Sequence, residues 1–247
     1  TGGINLADEY INQRLRFGYW KDTGIKIMGP AVDNFTVTIL NQWEFLTEKQ
    51  EVYENYLGKA DKFEGEGAVV PYVSGPNYPV SIAQNTYLNV ISNAKEKLYI
   101  MTPYLIVDET ITNMLINRID AGVDVRIVLP SIPDKKIVFL LTQSNYENLI
   151  RGGVKIYQYT PGFIHSKCFV VDDEYASVGT TNLDFRALYL HFECGTLMYK
   201  TKSVHKVTED MLETFGKSRE ILLEECENKN FFYQLFLSVM QLFSPLL

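Results

Sequence analysis

The chain has 247 residues, 46% of them apolar and 21% charged, with a formal net charge of −7. This is the composition of a globular protein, not a disordered one, and its size allows one large or two ordinary domains. The acidic balance argues against a dedicated nucleic-acid binder, which holds phosphates with clustered Lys and Arg. Cys168, Cys194 and Cys226 are odd in number and lack metal-type spacing, so neither a disulfide framework nor a zinc site is expected.

Residues 1–75 read as a separate piece, bounded by the turn-forming pair Gly75-Pro76. Within it, 31–45 is a predicted helix and 47–67 an acidic connection. Beyond Pro79, Ile82, Thr86, Tyr87, Val90, Ile91 and Ala94 recur at helical spacing. Residues 98–101 then form a short apolar strand ending at Thr102-Pro103. Ile111, Met114, Leu115 and Ile119 make a second helical face, capped by Gly122. A strand at 123–129, a helix at 135–151 and a strand at 154–159 follow. Alternation of this kind implies parallel strands with helical crossovers, hence an α/β layered domain over 76–247.

After Tyr159 the pattern changes to extended segments at 164–171, 175–178 and 192–199, with Asp172-Asp173 as turn chemistry between the first two. A long helix is predicted over 204–227. The tail carries Phe232, Leu235, Phe236, Val239, Met240 and Phe243 at helical spacing, a packed helix or, alternatively, a membrane-facing one. No uninterrupted apolar run reaches the roughly 18–20 residues of a spanning helix, so the chain is expected to be soluble or peripheral.

An internal echo is also present. Gly2-Gly3-Ile4-Asn5-Leu6 matches Gly179-Thr180-Thr181-Asn182-Leu183, and Val32, Thr36, Leu40 and Trp43 match Val204, Thr208, Leu212 and Phe215. If both are copies of one unit, the chain begins inside the first, and it reads as a fragment of a longer protein.

The chemistry concentrates in His165-Ser166-Lys167, followed by Asp172 and Gly179-Thr180-Thr181-Asn182. In an extended segment residues two apart share a face, which sets the imidazole beside the ammonium. That pairing suits a phosphodiester: Lys167 neutralises non-bridging oxygens, while His165 attacks phosphorus or shuttles a proton. Asp172 has the opposite parity and sits at a turn, so a structural role within the motif is expected. Thr180 and Asn182 share a face and offer neutral donors for an oxyanion. Glu193 is the expected acceptor for the second ring nitrogen of His165, with a surface salt bridge as the alternative. His191 and His205 carry no such pattern. Cys168 and Cys194 have the parity that turns them away, as buried thiols.

The spacing H-x-K-x(4)-D followed by G-(S/T)-x-N resembles the signature of the phospholipase D superfamily. Tyr159-Thr160-Pro161-Gly162-Phe163-Ile164, Thr102-Pro103-Tyr104, Ser244-Pro245-Leu246-Leu247, Trp20-Lys21-Asp22-Thr23 and Gly29-Pro30-Ala31-Val32 are similar to elements of bacterial cardiolipin synthases. The resemblance implies a phospholipase D-like layered mixed sheet with flanking helices. One domain (76–247) would be complete, beside the remnant (1–75) of a pseudo-two-fold partner domain. It implies two histidine motifs per full protein, the first lying 14 residues before Gly2 if it follows the spacing of the second. Asn5 would then be the counterpart of Asn182 and Asp22 that of Glu193, with Gly3 in place of the hydroxyl residue.

By the same resemblance the full protein joins two phosphatidylglycerol molecules into cardiolipin through a phosphohistidine, with no metal or organic cofactor. The first-half histidine would be the nucleophile and His165 the general acid and base, at a cell-membrane surface and with no nucleic-acid partner. Two other readings stand beside it. One is a phosphodiesterase or nuclease of the same superfamily that completes its site by homodimerising. The other is a fragment that folds but does not turn over alone.

Overall fold

The computed structural model describes residues 1–61, 63–227 and 231–242. The elements in chain order are β1 (Tyr19–Lys21), α1 (Val32–Thr47), β2 (Ala68–Ser74), α2 (Ile82–Ser92), β3 (Lys97–Met101), β4 (Leu105–Ile106), α3 (Glu109–Asp120), β5 (Asp124–Pro130), α4 (Lys136–Ser144) and α5 (Tyr146–Arg151). They continue with β6 (Lys155–Tyr159), β7 (Gly162–Ile164), β8 (Cys168–Val171), β9 (Tyr175–Gly179), β10 (Leu183–Asp184), β11 (Glu193–Tyr199), α6 (Lys202–Gly216), β12 (Ser218–Glu220), α7 (Leu223–Glu227) and α8 (Phe231–Gln241).

Eight strands form one mixed sheet in the order β12-β6-β5-β3-β8-β9-β11-β2. The expected parallel strands are β3, β5 and β6, and the later segments join antiparallel. Strand alternation divides the core between two faces. Leu98, Ile100, Phe169 and Val171 pack with α2, α3 and α5, while Tyr99, Met101, Cys168 and Val170 pack with α6. Local chemistry fixes the helix starts: Ser81 accepts from the Gln84 amide and Asp108 from the Ile111 amide. Strand β2 pairs with β11 through Ser74↔Glu193, so the sheet takes in residues before the Gly75-Pro76 turn.

Three sequence expectations are corrected. The helix over 135–151 divides at Asn145, whose side-chain amide donates to the Leu105 and Leu141 carbonyls. The helix over 204–227 stops at Gly216, because residues 218–220 pair antiparallel with β6 and cover the sheet edge. The extended run over 164–171 divides into β7 and β8, with His165-Ser166-Lys167 as the link between them. Of the tail, α8 lies against α4, Leu237 is buried, and Phe236 and Val239 are exposed. Phe243 falls outside the described residues, as do the side chains of Phe232 and Leu235. No described helix is long and apolar enough to cross a membrane.

The internal echo is present in the backbone pairing. Thr1 and Ile25 exchange two hydrogen bonds, Gly2 bridges Gly24, and the Gly3 amide donates to the Thr23 carbonyl at 3.2 Å. In the second copy Val178 pairs with Thr196, Gly179 with Gly195, and the Thr180 amide donates to the Cys194 carbonyl at 2.9 Å. The copies meet where β1 runs parallel to β7, and Lys21 ion-pairs with Asp210 of α6 at 2.5 Å.

Candidate active site

The seam between β1 and β7 positions the site. Lys21 is in register with Ile164, and the His165 amide donates to the Lys21 carbonyl at 2.7 Å, so the next residues, Asp22 and His165, emerge side by side. Gly162 permits this approach, because a Cβ there would lie 2.3 Å from the Tyr19 backbone. His165 Nδ1–H donates to Asp22 Oδ2 at 2.9 Å across 143 residues of sequence. Asp22 is 3% exposed and takes a further bond from the Thr23 amide at 2.9 Å. The imidazole is thereby held with Nδ1 protonated and Nε2 carrying the lone pair. Among the described residues Nε2 has no hydrogen-bond partner.

The sequence expectation placed Glu193 against the His165 ring; the structure places Asp22 there. Glu193 instead accepts from the Thr180 hydroxyl and stands 3.5 Å from His191 Nδ1. Gly3 occupies the place in the first copy that Thr180 has in the second. A Cβ at Gly3 would meet Asp22 Oδ1 at 2.2 Å and the His165 carbonyl at 2.8 Å, so no hydroxyl residue fits there.

Lys167 is 4% exposed and its ammonium donates to the His165 carbonyl at 2.5 Å. Burial pushes the Lys167 pKa down to about 7, against the opposing pull of Asp22, Glu193 and Asp184. Burial also lowers the His165 pKa; Asp22 opposes this and the Lys167 charge adds to it. Burial pushes Glu193 up to about 7. Burial thus disfavours the charged form of all three groups. A phosphate anion beside Lys167 would offset its charge and raise the imidazole's affinity for a proton.

Asp172 stands apart from these groups. Its carboxylate accepts from the Lys95, Glu96 and Lys97 amides at 2.8–2.9 Å. With Asp173 it has positive φ, within the three-residue turn 172–174 that joins the paired Val171 and Tyr175. The motif aspartate therefore ties the β8–β9 hairpin to the start of β3. Asn182 donates to Asp184 Oδ2 at 3.0 Å, and Asn5 donates to the Tyr10 hydroxyl at 2.9 Å. The anticipated neutral donors are each committed to a protein acceptor.

Sequence reasoning missed Asp184, a buried carboxylate two residues beyond Asn182, and the aromatic groups around His165. Parity with Asn182 is the signal that pointed to the first. Cys168 is buried, its thiol pushed up to about 12 by burial, whereas Cys194 is only half-buried. Among the described residues no group of three or more His, Cys, Asp or Glu is placed to hold a metal.

Beside Glu193 an open cavity of about 920 Å³ runs between α1 and the N-terminal residues. It is lined by Ile4, Ile25, Phe35, Ile39, Phe192 and Glu193, among others. The corresponding face of α6 buries Val204, Val207, Met211 and Phe215 against the sheet, whereas in α1 only Leu40 is buried and Ile39 is 64% exposed.

A family profile described as the phospholipase D-like domain of cardiolipin synthase matches residues 87–215. A cardiolipin synthase of Geobacillus kaustophilus is 38% identical over all of this chain, which covers 49% of that protein. An uncharacterised protein of Streptococcus mutans is 42% identical, again over all of this chain and 54% of its own length. The chain spans about half the length of the curated relatives it matches. Among solved structures, phosphatidylserine synthase of Haemophilus influenzae superposes with a TM-score of 0.72 at 17% identity, covering 98% of this chain and 66% of that one. The phospholipase D family member Nuc of Salmonella typhimurium gives 0.53 at 20% identity, over 63% of this chain and 99% of Nuc. At these identities the two structures establish the fold.

Proposed function

The chain belongs to the cardiolipin synthase family of phospholipase D-like proteins, and from that premise we propose that it supplies one half of a phosphatidyltransferase site acting on phosphatidylglycerol at a membrane surface. The observation that carries this reading is the part-buried Asp22–His165 couple beside the buried Lys167. An imidazole held by a carboxylate at one nitrogen and open at the other is a proton carrier, and a buried ammonium suits a charged phosphorane-like state.

In the proposed reaction His165 enters as the imidazolium, protonated at Nε2; a second histidine attacks phosphorus, the bond to the glycerol oxygen breaks, and His165 gives that oxygen the Nε2 proton. His165 then takes the proton from the hydroxyl of a second phosphatidylglycerol. That oxygen attacks phosphorus, the phosphorus–nitrogen bond breaks, and cardiolipin leaves. Glu193 is the proposed acceptor for Nδ1–H of the second histidine, since it holds the place in its copy that Asp22 holds in the other. The uncovered face of α1 is the proposed seat of the half that brings it.

The test uses the full-length gene product and vesicles of purified phosphatidylglycerol. His165→Ala and Lys167→Ala are each expected to lower cardiolipin formation by about 10²–10⁴-fold. A variant that retains near-wild-type synthesis would remove its residue from the mechanism.

A further inference from the structure

The His165 ring is also flanked by aromatic residues that the motif does not include. A short 3-10 turn, Asp8–Ile11, follows Asn5, and Asn12 ends it in the left-handed region. The Asn12 side chain then grips the Trp20 backbone twice: Nδ2 donates to the carbonyl at 3.0 Å, and Oδ1 accepts from the amide at 2.7 Å. This fixes the turn against β1. It sets the Tyr10 ring 4.3 Å from Trp20 and 5.3 Å from His165, edge-on at 87°. Trp20 lies 5.2 Å from the imidazole and Phe163 6.2 Å, both tilted. The hydrogen bond from Asn5 holds the Tyr10 hydroxyl. In the second copy the position matching Tyr10 is Ala187, and Asn182 turns to Asp184 instead.

We propose that Tyr10, anchored by Asn5, is a positioning residue for His165, its ring packed with Trp20 against one side of the imidazole so that the ring is held with Nε2 toward phosphorus and water is kept off that side. The inference rests on the reading of His165 as the proton carrier. The groups that face the imidazole are Asp22 at Nδ1, the Lys167 ammonium, Asp134 through space, and the rings of Tyr10, Trp20 and Phe163. Of these, the two carboxylates favour the protonated form and the ammonium opposes it. The rings act by excluding water, which disfavours the charged form.

The chain has three histidines, so an NMR titration of the imidazole resonances of the purified chain reads His165 directly. Tyr10→Ala is expected to raise the His165 pKa by about half a unit or more, because solvent reaches the ring. Tyr10→Phe keeps the cover and is expected to stay within a few tenths of the parent, with His191 and His205 unmoved in both. Asn5→Ala, a change at an exposed side chain, guards against a folding failure of Tyr10→Ala and is expected to shift His165 in the same direction by less. An unchanged His165 titration in folded Tyr10→Ala, or in Asn5→Ala should Tyr10→Ala fail to fold, would overturn the proposal. So would a Tyr10→Phe shift as large as that of Tyr10→Ala. The titration needs no turnover, so its failure leaves the phosphatidyltransferase reading to its own assay.

Discussion

The two copies of the Gly-x-x-Asn unit share a backbone pairing and differ in what their carboxylates meet. In the first, Gly2 bridges Gly24 and Asp22 reaches across the seam to His165. In the second, Gly179 pairs with Gly195 and Glu193 meets Thr180, with His191 at 3.5 Å. One carboxylate orients an imidazole and keeps it in a defined tautomer. The other is half-buried without a cation in hydrogen-bonding contact among the described residues, and its pKa rises to about 7. The difference teaches that the carboxylate bonded to His165 comes from the opposite copy, so the second copy does not supply that couple by itself.

The strongest way to break this comparison is at Asp22. Asp22→Ala removes the acceptor that selects the Nδ1–H tautomer and is expected to lower cardiolipin synthesis by the full-length protein by about 10²–10⁴-fold. Asp22→Glu is expected to recover part of that loss. Near-wild-type rates in Asp22→Ala would show that the cross-copy bond does not position the reacting ring.

Stability sharpens the comparison with smaller effects. Lys167 titrates near 7 in the folded chain against an ordinary 10.5, so its stabilising contribution is present above 10.5 and lost as pH falls through about 7. Lys167→Met should therefore stabilise the fold below pH 7 by about 1–4 kcal/mol and converge with the parent at high pH. Glu193 has the opposite sign. Its folded pKa, near 7, exceeds the ordinary 4.5, so its contribution is present below 4.5 and lost as pH rises through about 7. Glu193→Gln should stabilise above pH 7 by about 1–3 kcal/mol and converge with the parent at low pH. Urea melts across pH check both, and coincident pH dependences for the two variants would contradict the electrostatic account.

The sheet was largely legible because its strands obey period two: Leu98 and Ile100 against Tyr99 and Met101 divide between the faces as alternation requires. The place of Asp172 at a hairpin turn was legible from turn chemistry. The orienting carboxylate was not. Asp22 lies 143 residues from His165, and only the register of β1 on β7 brings them together. Glu193 was the plausible candidate from its own strand, but parity describes one strand and is silent about a partner copy. Tyr10 escaped for a similar reason, since a 3-10 turn anchored by Asn12 has no periodic signature. Gly216 gave no warning that its helix ends there, because the pairing of 218–220 with β6 is a tertiary preference that overrides helical pattern.

The central claim is that this chain holds one half of a two-histidine site, and turnover by the chain alone tests it most directly. Purified Thr1–Leu247 is assayed on phosphatidylglycerol vesicles across a dilution series spanning its association equilibrium. The account predicts no cardiolipin in the monomeric range, because attack on phosphorus and protonation of the leaving oxygen require histidines on opposite sides of one atom. Activity that appears only as the chain associates would fit two copies of His165 sharing a site. Turnover that persists undiminished in the demonstrably monomeric range would contradict the account.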